Sequence, residues 1–116
     1  MKLSPELAAK CLELAGAGPK PLLESISERD FQSAVEHEAR RAGWLAYHTR
    51  DSRKSVAGFP DLVLVRLSRV LWRELKIGDE QPTAAQRTWL EALELAGQDV
   101  AVWRPEQWVE ILEALK

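Results

Sequence analysis

The stretch GFPDLVLVRLSRVLWRELKIG, residues 58–78, contains two apolar runs at 61–67 and 70–77. Ser68 and Arg69 lie between the runs and favour a tight turn, so the stretch predicts a β-hairpin. Several positions are apolar on both faces of each strand, which is typical of central strands covered on two sides. The hairpin therefore indicates the middle of an α/β protein.

Three charged residues lie in or beside this apolar hairpin. Asp61 opens the first strand, and Glu74 and Lys76 lie near the end of the second. Burying a charge is costly unless it is paired or binds a metal. Residues two apart in a strand share a face, so Glu74 and Lys76 point the same way. With the turn near 68–69, paired positions sum to about 137, which sets Asp61 opposite residue 76. The three side chains should then converge at one end of the sheet.

Two carboxylates and an ammonium at one end of a sheet suit a hard divalent cation such as Mg²⁺. Asp61 and Glu74 are the predicted ligands, and the backbone carbonyl of Leu75 is a third candidate. Lys76 would position the attacking water or offset developing charge. Two plainer interpretations stay open: Asp61 could simply start the strand, and Glu74 and Lys76 could form a surface ion pair.

A helix before the hairpin offers a further acid. Ser27 followed by Asp30 is typical of a helix start, and a 100° rotation per residue places Glu28 inside the apolar stripe. Glu28 is the first candidate because it lies near the helix start, Glu36 at the stripe's edge is the second, and Glu38 lies farther along. The stripe consists of Phe31, Val35, Ala39 and Ala42.

The remaining pattern completes an α/β fold with a mixed central sheet flanked by helices. A strand is predicted at 44–49, before the hairpin, and a loop at 50–60 joins the two. After the hairpin, a helix that begins at Thr83 precedes a fourth strand at 100–104. Thr83 with Gln86 has the spacing of a capping box, and Pro105 opens a last helix.

The chain has 116 residues, one cysteine and a formal net charge of −2. Residues 1–25 predict an N-terminal helix and linker, and residues 26–116 predict the main domain. No apolar run is long enough to span a bilayer, and the lone cysteine fits a reducing compartment. We expect a cytoplasmic protein with no membrane partner. Any nucleic-acid binding must come from a local basic patch.

These motifs resemble the PD-(D/E)xK nuclease superfamily, and within it the virus-type replication–repair nuclease (VRR-NUC) domain of the stand-alone, phage type. The resemblance covers about residues 27–104. It rests on Gly58-Phe59-Pro60-Asp61, Glu74-Leu75-Lys76, Glu28 with Gln32, and Gln86 in PTAAQ. It implies a restriction-endonuclease-like core with the N-terminal helix outside it.

The resemblance implies a Mg²⁺- or Mn²⁺-dependent DNA endonuclease, and for small stand-alone members a homodimeric Holliday-junction resolvase acting on branched DNA. Asp61 and Glu74 would then be metal ligands, with Glu28 acting directly or through water, and Lys76 would be the catalytic lysine. Gln86 would support the site or the substrate. A nuclease for flaps or other structures and a non-catalytic DNA-binding module of the same fold remain alternatives.

The loop before Asp61 is the predicted DNA contact. Arg50, Arg53 and Lys54 lie in it, at the same end of the predicted sheet as the carboxylates. Cations next to a metal site would bind phosphates. A solvated connector without a binding role is the alternative for this loop.

Overall fold

The computed structural model describes residues 26–49 and 55–116, so the predicted N-terminal helix and linker lie outside the described residues. The helices are α1 Glu28–Arg41, α2 Ala84–Leu95 and α3 Trp108–Ala114, the last preceded by a 3-10 turn at Pro105–Gln107. The strands are β1 Leu45–His48, β2 Leu62–Arg66, β3 Arg69–Leu75 and β4 Asp99–Trp103. The described helices are all too short or too polar to cross a bilayer.

The four strands form one sheet in the order β1-β2-β3-β4. β1, β2 and β3 pair antiparallel, whereas β3 and β4 pair parallel, with α2 between them in the chain. The mixed sheet expected from the sequence is therefore confirmed. A parallel pair needs a crossover connection, and α2 supplies it.

The hydrophobic core lies on one face of the sheet. Leu62, Leu64 and Leu71 are fully buried there and share that face by strand alternation. They pack into one cluster with the apolar stripe of α1 and the inward side of α3. The core members from the helices are Phe31, Ala34, Val35, Ala39, Trp108 and Ile111.

Helix α2 covers the opposite face less completely. The sequence predicts an inward apolar face there, but no residue of α2 is buried, and Trp89 is only half-buried. Phe59 bridges the helix and the sheet: its ring centroid lies 5.0 Å from that of Trp89 and 6.0 Å from that of Trp72, both edge-on. α2 is therefore held by a small aromatic contact rather than by a deep core.

The hairpin register differs from the expected one by two residues. Arg66 pairs with Arg69 and Leu62 with Arg73, so paired positions sum to 135 (66 + 69, 62 + 73). The turn is formed by Leu67 and Ser68, and Leu67 takes a left-handed backbone with φ 52°. Asp61 therefore lies opposite Glu74 rather than opposite residue 76, which brings the two carboxylates closer together.

The far end of the hairpin is tied to the end of α3. Arg66 and Arg69 lie over the Trp44 ring, at 4.6 and 4.9 Å from its centroid. The Trp44 indole nitrogen and Arg66 both donate to the Leu115 carbonyl, and Arg69 donates to the carbonyls of Ala114 and Lys116. The carbonyls that a helix end leaves without partners are thus satisfied by side chains.

Candidate active site

The loop that presents Asp61 is fixed against the start of α2. Gly58 has φ +84°, and a Cβ there would lie 2.4 Å from backbone atoms of Ala85. Only glycine fits such a close approach with that backbone. The Thr49 amide donates to the Asp61 carbonyl at 2.8 Å, and the Thr49 hydroxyl donates to the Pro60 carbonyl. The Gly-x-Pro-Asp sequence therefore positions Asp61 at the entrance to β2.

Asp61 and Leu75 are joined directly. The Leu75 amide donates to Asp61 Oδ2 at 2.7 Å, which leaves the other carboxylate oxygen to face the site. The next amide, Lys76 N–H, donates across to the Trp103 carbonyl of β4. Successive residues of a strand turn their backbone groups to opposite sides, so the Leu75 carbonyl lies on the Asp61 side. The Leu75 carbonyl, named as a candidate ligand from the sequence, is thus on the same side of β3 as Asp61.

Glu74 is the most deeply buried acid at this end of the sheet. It is 1% exposed, and within the described part of the chain neither of its carboxylate oxygens has a hydrogen-bond partner. Burial, first of all, and the neighbouring Asp61 carboxyl raise the pKa of Glu74 to about 9, while Lys76 opposes that shift. Among the described residues, the ionised carboxylate is therefore left without a donor. A buried, unsatisfied carboxylate of this kind is costly unless a cation joins it.

Lys76 is buried at the same end of β3 and has a partner that the sequence does not suggest. Lys76 is 4% exposed, and its ammonium nitrogen lies 3.5 Å from Glu80 Oε1. Glu80 belongs to the loop between β3 and α2. Its spacing of four from Lys76 would be a signal in a helix, but nothing in a loop sequence makes such a contact predictable.

Glu28, at the start of α1, lies close enough to this group to interact with its charges. Burial raises the pKa of Glu28, and the charges of Asp61 and Glu80 add to that effect, while Lys76 opposes it. The other two acids of α1 have separate partners: Glu36 lies 3.3 Å from Arg40, and Glu38 lies 3.6 Å from Arg41. The structure thus brings Glu28, the first candidate, to the site and leaves Glu36 and Glu38 in ion pairs along the helix.

The arrangement fits a divalent cation between Asp61 and Glu74. Within residues 26–49 and 55–116, no three His, Cys, Asp or Glu side chains lie together closely enough to hold a metal by themselves. A site here would therefore use two carboxylates, the Leu75 carbonyl and waters, with Glu28 acting through water. Mg²⁺ commonly keeps several waters and takes only one or two carboxylates, so this donor set suits it.

The remaining predicted residues have different outcomes. Gln86 forms the capping box of α2 with Thr83. The backbone amide of Gln86 donates to the Thr83 hydroxyl, and the side-chain oxygen of Gln86 accepts from the backbone amide of Thr83. Its backbone nitrogen would lie 2.7 Å from a Cβ at position 58, so it borders the loop that presents Asp61. Arg50, Arg53 and Lys54, the predicted DNA contacts, lie outside the described residues.

Comparison with known proteins supports the fold. A solved structure described as a VRR_NUC domain protein superposes with a TM-score of 0.63 at 21% sequence identity, over 78% of this chain and 88% of that chain. The sequence matches no family model, and no curated protein matches it. The likeness confirms the restriction-endonuclease-like α/β fold expected from the motifs: this chain has the fold of a VRR_NUC domain.

Proposed function

We propose that this chain is a metal-dependent DNA endonuclease of the PD-(D/E)xK type. The observation that carries the proposal is Glu74, a buried carboxylate that accepts no hydrogen bond within residues 26–49 and 55–116. It lies opposite Asp61 when the hairpin register is extended by one pair beyond Leu62 and Arg73. A solely structural role would not explain two carboxylates that face each other at the cost of a strongly raised pKa.

Asp61, Glu74 and the Leu75 carbonyl would hold Mg²⁺ or Mn²⁺, and Glu28 would accept a hydrogen bond from a water of its shell. The ion, when bound, supplies polarisation of the phosphate and lowers the pKa of a bound water. The Leu75 amide keeps Asp61 oriented through its 2.7 Å hydrogen bond. Lys76 would place a positive charge beside the phosphate and donate to the attacking water, which stabilises charge that develops during cleavage.

The substrate part of the proposal is branched DNA cut by a homodimer, as in a Holliday-junction resolvase. Two copies related by a two-fold axis would place two such sites on two related strands. Arg50, Arg53 and Lys54, which precede Asp61 in the chain, would contact phosphates beside it. The proposed setting is the cytoplasm of a bacterium or a phage-infected cell.

A cleavage assay tests the proposal. Purified protein with Mg²⁺ or Mn²⁺ is incubated with a labelled four-way junction, a flap, a linear duplex and single strands, with EDTA and Glu74→Ala as controls. We expect paired, metal-dependent cuts in the junction and none with Glu74→Ala, and sedimentation should show a dimer. Cuts confined to flaps or other structures would keep the nuclease and reject the resolvase. Junction binding without cutting of any substrate would instead favour a non-catalytic DNA-binding module.

A further inference from the structure

The Lys76 ammonium is held by a residue that none of the nuclease motifs contains. Glu80 Oε1 lies 3.5 Å from Lys76 Nζ, and the Lys76 side chain is 5% exposed while that of Glu80 is 53% exposed. The ammonium is thus anchored from its solvent side. Since a lysine side chain is a flexible stem with three donors, a single carboxylate partner can decide where its nitrogen lies.

The backbone that carries Glu80 is itself fixed. Arg104 follows β4 and donates from one guanidinium nitrogen to the Gly78 carbonyl at 2.9 Å and from another to the Glu80 carbonyl at 2.6 Å. The Glu80 amide donates to the Ile77 carbonyl at 3.2 Å. Three hydrogen bonds therefore hold the backbone of this short loop, which limits where the Glu80 carboxylate can lie.

The position of Glu80 matters because Lys76 has two other carboxylates in its neighbourhood. Its charge also acts on Glu74 and on Glu28, which shows that both carboxylates lie within its electrostatic reach. If the ammonium moved onto Glu74, it would neutralise the buried carboxylate and occupy the place of a cation. A counter-ion such as Glu80, which is more exposed than Lys76, would oppose that movement by holding the ammonium toward solvent.

We propose that Glu80 is a positioning residue that holds the Lys76 ammonium at the solvent side of the Asp61–Glu74 pair, clear of the oxygens that would bind a metal. This inference rests on the proposed nuclease function for its consequence, although the contact itself does not. Glu80 would touch neither substrate nor metal. It acts by holding Lys76, and Arg104 acts by holding the backbone of Glu80.

The first test is single-turnover cleavage at saturating DNA with Glu80→Gln and Glu80→Asp. The matched control is Glu113→Gln, which removes a glutamate paired with Lys116 at 2.7 Å near the other end of the hairpin. We expect Glu80→Gln to lower the cleavage rate constant about 10-fold, Glu80→Asp to recover it to within about 3-fold, and Glu113→Gln to leave it unchanged.

DNA affinity separates positioning from a general charge effect. Glu80→Gln removes a negative charge near the site, so its DNA affinity, measured in EDTA, should be equal to or tighter than that of the wild type. Slower cleavage together with undiminished binding supports the proposal. A wild-type rate constant for Glu80→Gln at saturating DNA overturns it.

A second readout does not need nuclease activity. The rate of Lys76 acylation by a small amine-reactive reagent, followed by peptide mass spectrometry in metal-free protein, reports how firmly the ammonium is held. We expect Glu80→Gln to increase this rate about 3-fold or more and Glu113→Gln to leave it unchanged. Equal rates in all three proteins overturn the proposal. If the wild type cuts no DNA, the proposed function fails, and the acylation rates alone decide whether Glu80 holds Lys76.

Discussion

At the scale of single residues, the site is organised by a conflict between Glu74 and its surroundings. Glu74 is buried and accepts no hydrogen bond from the described residues. Burial and the nearby Asp61 carboxyl raise its pKa, and Lys76 opposes only part of that shift. A protein would gain stability by replacing such an acid with an apolar or amide side chain. Retaining an ionisable group there is the kind of cost that functional sites bear.

The raised pKa of Glu74 predicts how stability depends on pH in metal-free protein. The pKa rises from 4.5 in the unfolded chain to about 9 in the folded state, so the folded state binds this proton more tightly. Its stabilising contribution is complete below about pH 4.5 and is lost as pH rises to about 9. We expect the free energy of unfolding in EDTA to fall over this window, measured by urea denaturation.

Glu74→Gln supplies the control for that titration because glutamine has no ionisable proton. The difference in unfolding free energy between Glu74→Gln and wild type should grow with pH in EDTA. Mg²⁺ should reduce the difference, since the ion binds the ionised carboxylates of the wild type. Parallel pH profiles for the two proteins would contradict the buried, unsatisfied state of Glu74.

Gly58 and Gly97 form a matched pair for a second residue-scale prediction. Both have left-handed backbones, with φ +84° and +79°. A Cβ at position 58 would lie 2.4 Å from the Ala85 backbone, whereas a Cβ at position 97 would meet no described atom within 4 Å. Gly97→Ala should cost about 1 kcal/mol from the backbone alone. Gly58→Ala should cost about 3 kcal/mol or more, because the loop and α2 must separate. Equal costs in urea denaturation would mean that this close approach does not exist in solution.

At the scale of elements, the capping box of α2 gives the plainer account of Gln86. The Thr83 and Gln86 side chains and amides satisfy one another in both directions. Thr83→Ala and Gln86→Ala should therefore each lower the free energy of unfolding by about 1 kcal/mol.

Cleavage distinguishes the two roles of Gln86. If it only caps the helix, the rate constant at saturating DNA should be the same for Gln86→Ala and Thr83→Ala once both are folded. A loss confined to Gln86→Ala would restore the role in supporting the site or substrate that the family resemblance implies.

The elements themselves were predictable because their signals are local. The apolar runs at 61–67 and 70–77 predicted β2 and β3, and the Ser27 and Thr83 caps predicted the starts of α1 and α2 to within a residue. The predicted hairpin register was wrong by two residues because the turn is formed by Leu67 and Ser68, with Leu67 in a left-handed backbone conformation. Leucine rarely does so, and no Gly or Asn marks the position.

The candidate site was predictable for a similar reason and incomplete for another. Motif spacing named Asp61, Glu74 and Lys76, and helical rotation placed Glu28 on the correct face of α1. Glu80 was missed because its contact with Lys76 depends on the path of a loop that Arg104 holds from across the fold. Likewise, the half-exposed state of α2 depends on how much of the sheet other elements cover, which periodicity does not report.

At the scale of the whole molecule, the end of the chain is fastened by Trp44. Its indole nitrogen donates to the Leu115 carbonyl at 2.9 Å, and its ring lies under Arg66 and Arg69. Trp44→Phe should lower the free energy of unfolding by about 1–2 kcal/mol through the lost hydrogen bond and weaker cation–π contacts.

Trp72→Phe is the control for that substitution, since the Trp72 indole donates to the exposed Gln98 side chain and its loss should cost less. The contact made by Trp44 lies at the turn end of the hairpin, away from Asp61. Cleavage by folded Trp44→Phe should therefore equal that of the wild type. A slower rate constant in the folded variant would show that the two ends of the sheet are coupled.

The two-residue turn at Leu67 and Ser68 also has a consequence for how the chain reaches this structure. Asp61 and Glu74 are only 13 residues apart (74 − 61), whereas Glu28 and β4 arrive through long-range contacts. Short loops close faster than long ones, and hairpins form in about 1–10 μs. The two mutually repelling carboxylates thus meet early, before the rest of the fold can hold them together. We therefore expect refolding of metal-free protein, measured by stopped-flow mixing, to slow as rising pH ionises Glu74, whose pKa burial raises to about 9. The charge that would prepare this site for a cation is then one that the chain must overcome while it folds.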